Sequence, residues 1–156
     1  MLVTVGLSGC GNKQTETGVA EKRDKASPDS HSTRWYSQEQ VMQGRDLYQT
    51  YCAECHQPDA SGTTNWRSLN AEGKLPPPPL NGTAHTWHHP LSVLRRTVRL
   101  GGVPLGGSMP GFADKLSDEQ IDAILAWVQT RWSDEIYHIW HERNQQAESR
   151  LKLNRS

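Results

Sequence analysis

The chain has 156 residues with 17 Lys+Arg against 17 Asp+Glu, a formal net charge of zero, and that length fits one ordinary domain with tails rather than two full cores. Balanced charge excludes the basic footprint of a non-specific nucleic-acid binder, and no apolar run approaches the roughly eighteen residues that a membrane-crossing helix needs. Hydrophobic residues make up only 34%, with six Trp against one Phe, so the core is small and rich in rings that join an apolar face to an N–H donor.

Residues 1–10 form a short apolar stretch ending in Leu7-Ser8-Gly9-Cys10. That ending resembles a bacterial lipobox, in which the cysteine becomes a lipidated N-terminus, although no Lys or Arg precedes the apolar run. Residues 1–10 are therefore expected to be a truncated signal with Cys10 as its lipidation site. Residues 11–34 are rich in Lys, Glu, Asp, Ser and Thr with almost nothing to bury, the composition of a disordered tether.

Order is predicted from Trp35. Ser37-Gln38-Glu39-Gln40 is a capping box, and Val41, Gly44, Leu47, Tyr48 and Tyr51 follow at helical spacing. This helix runs into Cys52-Ala53-Glu54-Cys55-His56, the C-x-x-C-H string that attaches c-type haem through two thioethers and supplies an iron ligand from the histidine. The spacing sets both sulfurs on one helical turn and aims the His56 ring at the iron. A structural zinc site would want a second Cys or His pair, and no second C-x-x-C occurs. A redox dithiol would want a strand before the motif, where this sequence reads as helix.

Beyond the motif come Gly62, Gly73, a run of four prolines at Pro76 to Pro79, and a short helix predicted over Leu91 to Leu100. Its Arg95, Arg96 and Arg99 form a basic cluster, read either as a solvated face or as a means of steering a partner or pairing a propionate. His85, His88 and His89, beside Trp87, are read as a solvated loop, and His138 and His141 as exposed polar positions. A second capping box, Ser117-Asp118-Glu119-Gln120, opens a helix with Ile121, Ile124, Leu125, Val128 and Trp132 on one stripe. From Asp134 to about Leu151 a further helix is expected, with Ile136, Ile139 and Trp140 near its start and the remainder fraying into solvent.

Gly44, Tyr48 and Cys52, with Ile124 and Trp127 as matching contacts, make the chain resemble a class I cytochrome c over roughly Trp35 to Trp132. The resemblance implies an all-α fold, a small helical domain wrapped around one covalently attached haem c, in which Gly44 lets two helices approach closely. It also implies a Pro-x-Leu element after the motif, here Pro78-Pro79-Leu80-Asn81-Gly82, with the Pro78 carbonyl accepting a hydrogen bond from His56. The sixth iron ligand in that family is usually a methionine in a Gly-rich loop, which points to Met109 in Gly106-Gly107-Ser108-Met109-Pro110-Gly111-Phe112. The expected layout is 1–10 signal and lipobox, 11–34 tether, 35–132 cytochrome domain and 133–156 helical extension.

A haem held by Cys52 and Cys55 and ligated by His56 and Met109 leaves no open iron position, so the expected function is one-electron transfer rather than catalysis. The carrier would sit at the periplasmic side of a membrane, held by a lipid anchor and passing electrons between redox partners: a dehydrogenase or quinol-oxidising complex, and a terminal oxidase or reductase. Alternatives are a haem c subunit of a larger oxidoreductase complex and, with Met109 displaced, a ligand-binding haem sensor.

Overall fold

The computed structural model describes residues 1–2, 34–103 and 106–154. Cys10, with most of the expected signal and tether, lies outside them. The elements are α1 (Gln38–Tyr51), α2 (Ala53–His56), a 3-10 turn over Thr86–His88, α3 (Leu91–Leu100), α4 (Asp118–Gln129) and α5 (Asp134–Leu153). Among the described residues there is no strand, and the fold is all-α.

Both capping boxes form. Ser37 accepts from the Gln40 amide while the Gln40 side chain answers the Ser37 amide, and Ser117 and Gln120 do the same for α4. Each pair satisfies two amides that a helix start otherwise leaves to water. α1 and α4 then cross at Gly44, which faces the backbone of Ala123 and Ile124 with no room for a Cβ. One turn along, Tyr48 stacks on Trp127 at 4.2 Å between ring centroids. Tyr48, Ile121, Ile124 and Trp127 are the centre of the buried core.

α3 lies beside α4 in a register that pairs two arginines with two carboxylates. Arg95 clasps Asp122 through Nε and Nη2 at 2.5 and 2.7 Å, and Arg99 pairs with Asp118. Two members of the basic cluster are thus engaged within the fold.

The chain after Ser133 is helical with its apolar start against the core, as expected, and its later turns run out to solvent. Ser133 caps α5, and its first three turns bury Tyr137, Trp140 and Asn144, Trp140 completely. Tyr137, not singled out in the sequence, packs on Trp140 at 5.4 Å between centroids. Only the later turns, from Gln145, are mostly exposed. Arg34, assigned to the tether, also belongs to the folded part: its guanidinium lies 3.7 Å from the Tyr137 ring centroid and 2.7 Å from Asp134.

Candidate haem site

The C-x-x-C-H motif occupies the junction of α1 and α2. The Cys52 amide still donates to Tyr48, closing α1, while the Cys52 carbonyl accepts from His56 at 2.9 Å and opens the next turn. Ala53 is buried beneath this turn, Cys52 is partly buried and Cys55 is exposed. Burial, and then the neighbouring Cys55, push the Cys52 thiol up to about 11, so it stays protonated at neutral pH.

His56 is 7% exposed, and its Nδ1 lies 2.9 Å from the carbonyl oxygen of Pro78. A carbonyl only accepts, so Nδ1 carries the proton and donates it. Burial lowers the His56 pKa, with the Pro78 bond acting in the opposite direction. The ring is therefore neutral with its lone pair on Nε2, the form a metal ligand needs.

The proline run explains how that carbonyl is held. Prolines have no N–H, so residues 76–79 offer only acceptors to the rest of the fold. The Pro77 carbonyl accepts from the Thr63 amide at 2.9 Å, Pro78 from His56, and Pro79 from the Thr86 hydroxyl at 3.4 Å. Leu80 regains a donor and gives it to Ala60. Gly62 presses against this run so closely that a Cβ would fall 2.4 Å from the Pro78 carbonyl carbon, and its φ of +66° is one that glycine adopts freely.

Two features at this turn were not visible in the sequence. Gln57 and Ala60 have φ of 68° and 64°, left-handed values without a glycine to relieve them. Such residues cost about 1–2 kcal/mol each. They persist because the Gln57 carbonyl accepts from the Tyr48 hydroxyl and the Ala60 amide, and because Ala60 is fully buried.

Met109 is partly buried against the core, in a loop returning along the end of α3. Its carbonyl accepts from the Gly102 amide at 2.9 Å, and Phe112 donates to Val98 and Arg99. A Cβ on Gly101 would meet the Met109 carbonyl at 2.6 Å. Phe112 sets its ring 6.3 Å from that of Tyr51, edge to face, which ties this loop to the residue preceding Cys52.

Cys52, Cys55, His56 and Pro78 thus form one cluster, and Met109 sits on a separate braced loop. His85 instead lies against Trp66 and His89, while His138 meets Glu142 and His141 meets Gln145. Among the described residues no group of three His, Cys, Asp or Glu is arranged to hold a metal ion, and no helix is long and apolar enough to cross a membrane.

The site fits a haem. Two thiols lie one turn apart, a neutral imidazole keeps Nδ1 engaged and Nε2 for a metal, and Met109 brings a thioether on a segment braced at Gly102 and Phe112. Leu69, Leu75 and Val103, in the loops flanking Pro78 and Met109, and Leu100 at the end of α3 are largely exposed and suit contact with an apolar macrocycle.

Residues 39–128 match the family model described as cytochrome c oxidase, cbb3-type, subunit III. Cytochrome c6 of Bryopsis maxima is 31% identical over 85 residues, covering 54% of this chain and 84% of that protein. No solved structure gives a significant match.

Proposed function

The chain belongs to the c-type cytochromes of this cbb3-type subunit III family, as a class I cytochrome that carries electrons on one covalently attached haem c, and from that premise we propose that His56 and Met109 would supply its two protein iron ligands. When bound, haem supplies a one-electron Fe(III)/Fe(II) couple. Cys52, at the N-cap of α2, and Cys55, within it, would hold the haem covalently. His56 presents Nε2, oriented and made more basic by donating Nδ1–H to Pro78. That single hydrogen bond carries the reading, because it sets the tautomer that ligation requires. Met109 offers a soft thioether, which favours the lower oxidation state and raises the potential. An iron held by both side chains would have no position for a substrate, and the chain would exchange electrons through brief encounters with redox partner proteins.

In this reading Cys10 carries a lipid that holds the domain at the periplasmic side of a membrane, with residues 11–33 as the tether. The partners would be a dehydrogenase or quinol-oxidising complex on one side and a terminal oxidase or reductase on the other. A second reading, a haem c subunit resident in a larger oxidoreductase complex, is favoured by the description of the matched family.

Spectra of the oxidised and reduced protein, with and without CO, test the ligand set. The expected result is a thioether-to-iron band in the red for the oxidised form and no response to CO, with Met109→Ala losing the band, lowering the potential and admitting CO. CO uptake by the wild type would replace the carrier by a ligand-binding sensor. Membrane fractionation tests the anchor: Cys10→Ser should move the protein into the soluble extract, and a wild type that is already soluble would remove Cys10 as the lipidation site.

A further inference from the structure

α5 begins beyond the residues that match the family, yet it reaches back to the loop that ends the proline run. Trp132, at the turn between α4 and α5, donates Nε1–H to the Leu80 carbonyl at 2.8 Å. Trp140 donates Nε1–H to the His89 carbonyl at 2.9 Å. Asn144 accepts the Leu91 amide on Oδ1 at 2.8 Å, and its Nδ2 donates to Glu148 at 3.0 Å, which fixes the orientation of the amide. The Leu91 bond meets a specific need. Pro90 occupies the N-cap of α3 and has no side-chain acceptor to offer, so a residue 53 positions away caps that amide instead.

These three bonds hold the backbone at both ends of residues 80–91. Gly82, with a φ of +94°, lies between them, and a Cβ there would touch Trp132 and Ile136 at 3.3 Å. Leu80 is two residues from Pro78, and the intervening Pro79 has no amide with which to anchor itself. Leu80 is the next residue after Pro78 to be held closely, by its amide donating to the Ala60 carbonyl at 2.8 Å and by its carbonyl accepting from Trp132, the one grip there that a side chain from outside the loop supplies.

We propose that Trp132 is a positioning residue for the haem ligand: through Leu80 it holds the Pro78 carbonyl on His56 Nδ1, and Trp140 and Asn144 hold the far end of the same loop. This rests on the reading of His56 as an axial ligand. The stronger the Nδ1–H bond, the more negative charge reaches Nε2, and the more the oxidised iron is favoured. Without the Trp132 bond Leu80 is held by its amide alone, which lets the Pro78 carbonyl drift, weakens its bond to His56 and raises the reduction potential.

The test uses the haem-loaded full chain. Trp132→Phe keeps a ring against Gly82 and removes only the donor. Trp35→Phe is the control, since it removes an indole donor of the same kind, to Gln129 Oε1 at 2.7 Å, away from this loop. The expected result is a higher potential and a shifted proximal-histidine resonance in Trp132→Phe, with neither change in Trp35→Phe. Trp140→Phe, releasing the far end, should give a smaller shift in the same direction, and it stands in should Trp132→Phe fail to fold. Potentials and histidine resonances that stay at wild-type values while melting temperatures fall would overturn the proposal and leave α5 a packing element. A wild-type spectrum without histidine ligation would instead remove the reading of His56, and the outcomes are thereby distinguished.

Discussion

Gly44→Ala is the sharpest test of how the haem motif is held. A Cβ at residue 44 would fall 1.8 Å from the Ala123 carbonyl oxygen and 2.4 Å from its carbon. Carbon and oxygen settle at about 3.3 Å or beyond, so α1 and α4 must part by roughly 1.5 Å. The obstacle is helix backbone, which cannot swing aside as a side chain can, and this places the strain near the upper end of the usual 1–3 kcal/mol for overpacking. Separation also loosens Tyr48 from Trp127, an aromatic pair worth about 1 kcal/mol beyond its buried area. The better helix propensity of alanine returns about 1 kcal/mol. A net loss of about 3 kcal/mol follows, or roughly 10–15 °C in Tm for a domain of this size. Urea unfolding of the haem-loaded protein, followed by far-UV circular dichroism and Soret absorbance together, measures it. Gly73→Ala serves as reference: φ there is +72° but no atom lies within 4 Å of the added Cβ, so only backbone strain of about 1 kcal/mol applies. A loss at Gly44 no larger than at Gly73 would refute the close crossing as the reason for glycine.

Two further outcomes are expected. A double-mutant cycle on Arg95 and Asp122, using Arg95→Met and Asp122→Asn, should give a coupling of about 0.5–1 kcal/mol that shrinks with added salt, because the pair is bidentate but only partly buried; urea titrations at two ionic strengths read it. His89 is held below its ordinary pKa of 6.5 by burial and then by His85 and His88. As the pH falls through 6.5 the unfolded chain therefore takes up this proton before the folded one, and stability drops until the lowered folded value is passed. Melting curves between about pH 7.5 and 5 should show less acid loss in His89→Gln than in the wild type. An identical slope would exclude the ring as a contributor.

The parts of the fold that the sequence announces are those in which one helix carries its own instructions. Ser37 and Ser117 announce their helix starts through residues only three positions away, and the 91–100 helix shows its apolar face at regular spacing. The C-x-x-C-H string and the Gly44 to Tyr48 spacing are equally local. What escaped detection depends on registers between distant elements. Arg95 and Arg99 look like a free basic face until Asp118 and Asp122, also four apart, are laid beside them on α4. Trp132 and Trp140 look like ordinary stripe residues because a donor to a loop carbonyl leaves no sequence pattern. Gln57 and Ala60 adopt left-handed backbone without glycine, so the turn after His56 has no local signal at all. Which of four consecutive proline carbonyls faces His56 is likewise a register between separate segments, and it is that of Pro78.

The proline run has a consequence for the unfolded chain. Each pyrrolidine ring fixes its own φ and restricts the residue before it, so Pro76 to Pro79 have few conformations to lose when the domain forms. Placing an acceptor beside a histidine from an ordinary flexible loop would cost about 1–2 kcal/mol of backbone entropy per residue. Here much of that ordering resides in covalent rings and is independent of packing. The segment that orients His56 therefore keeps its stiffness when surrounding contacts loosen, and a partner that jostles the surface during an encounter meets a nearly rigid rod behind the ligand.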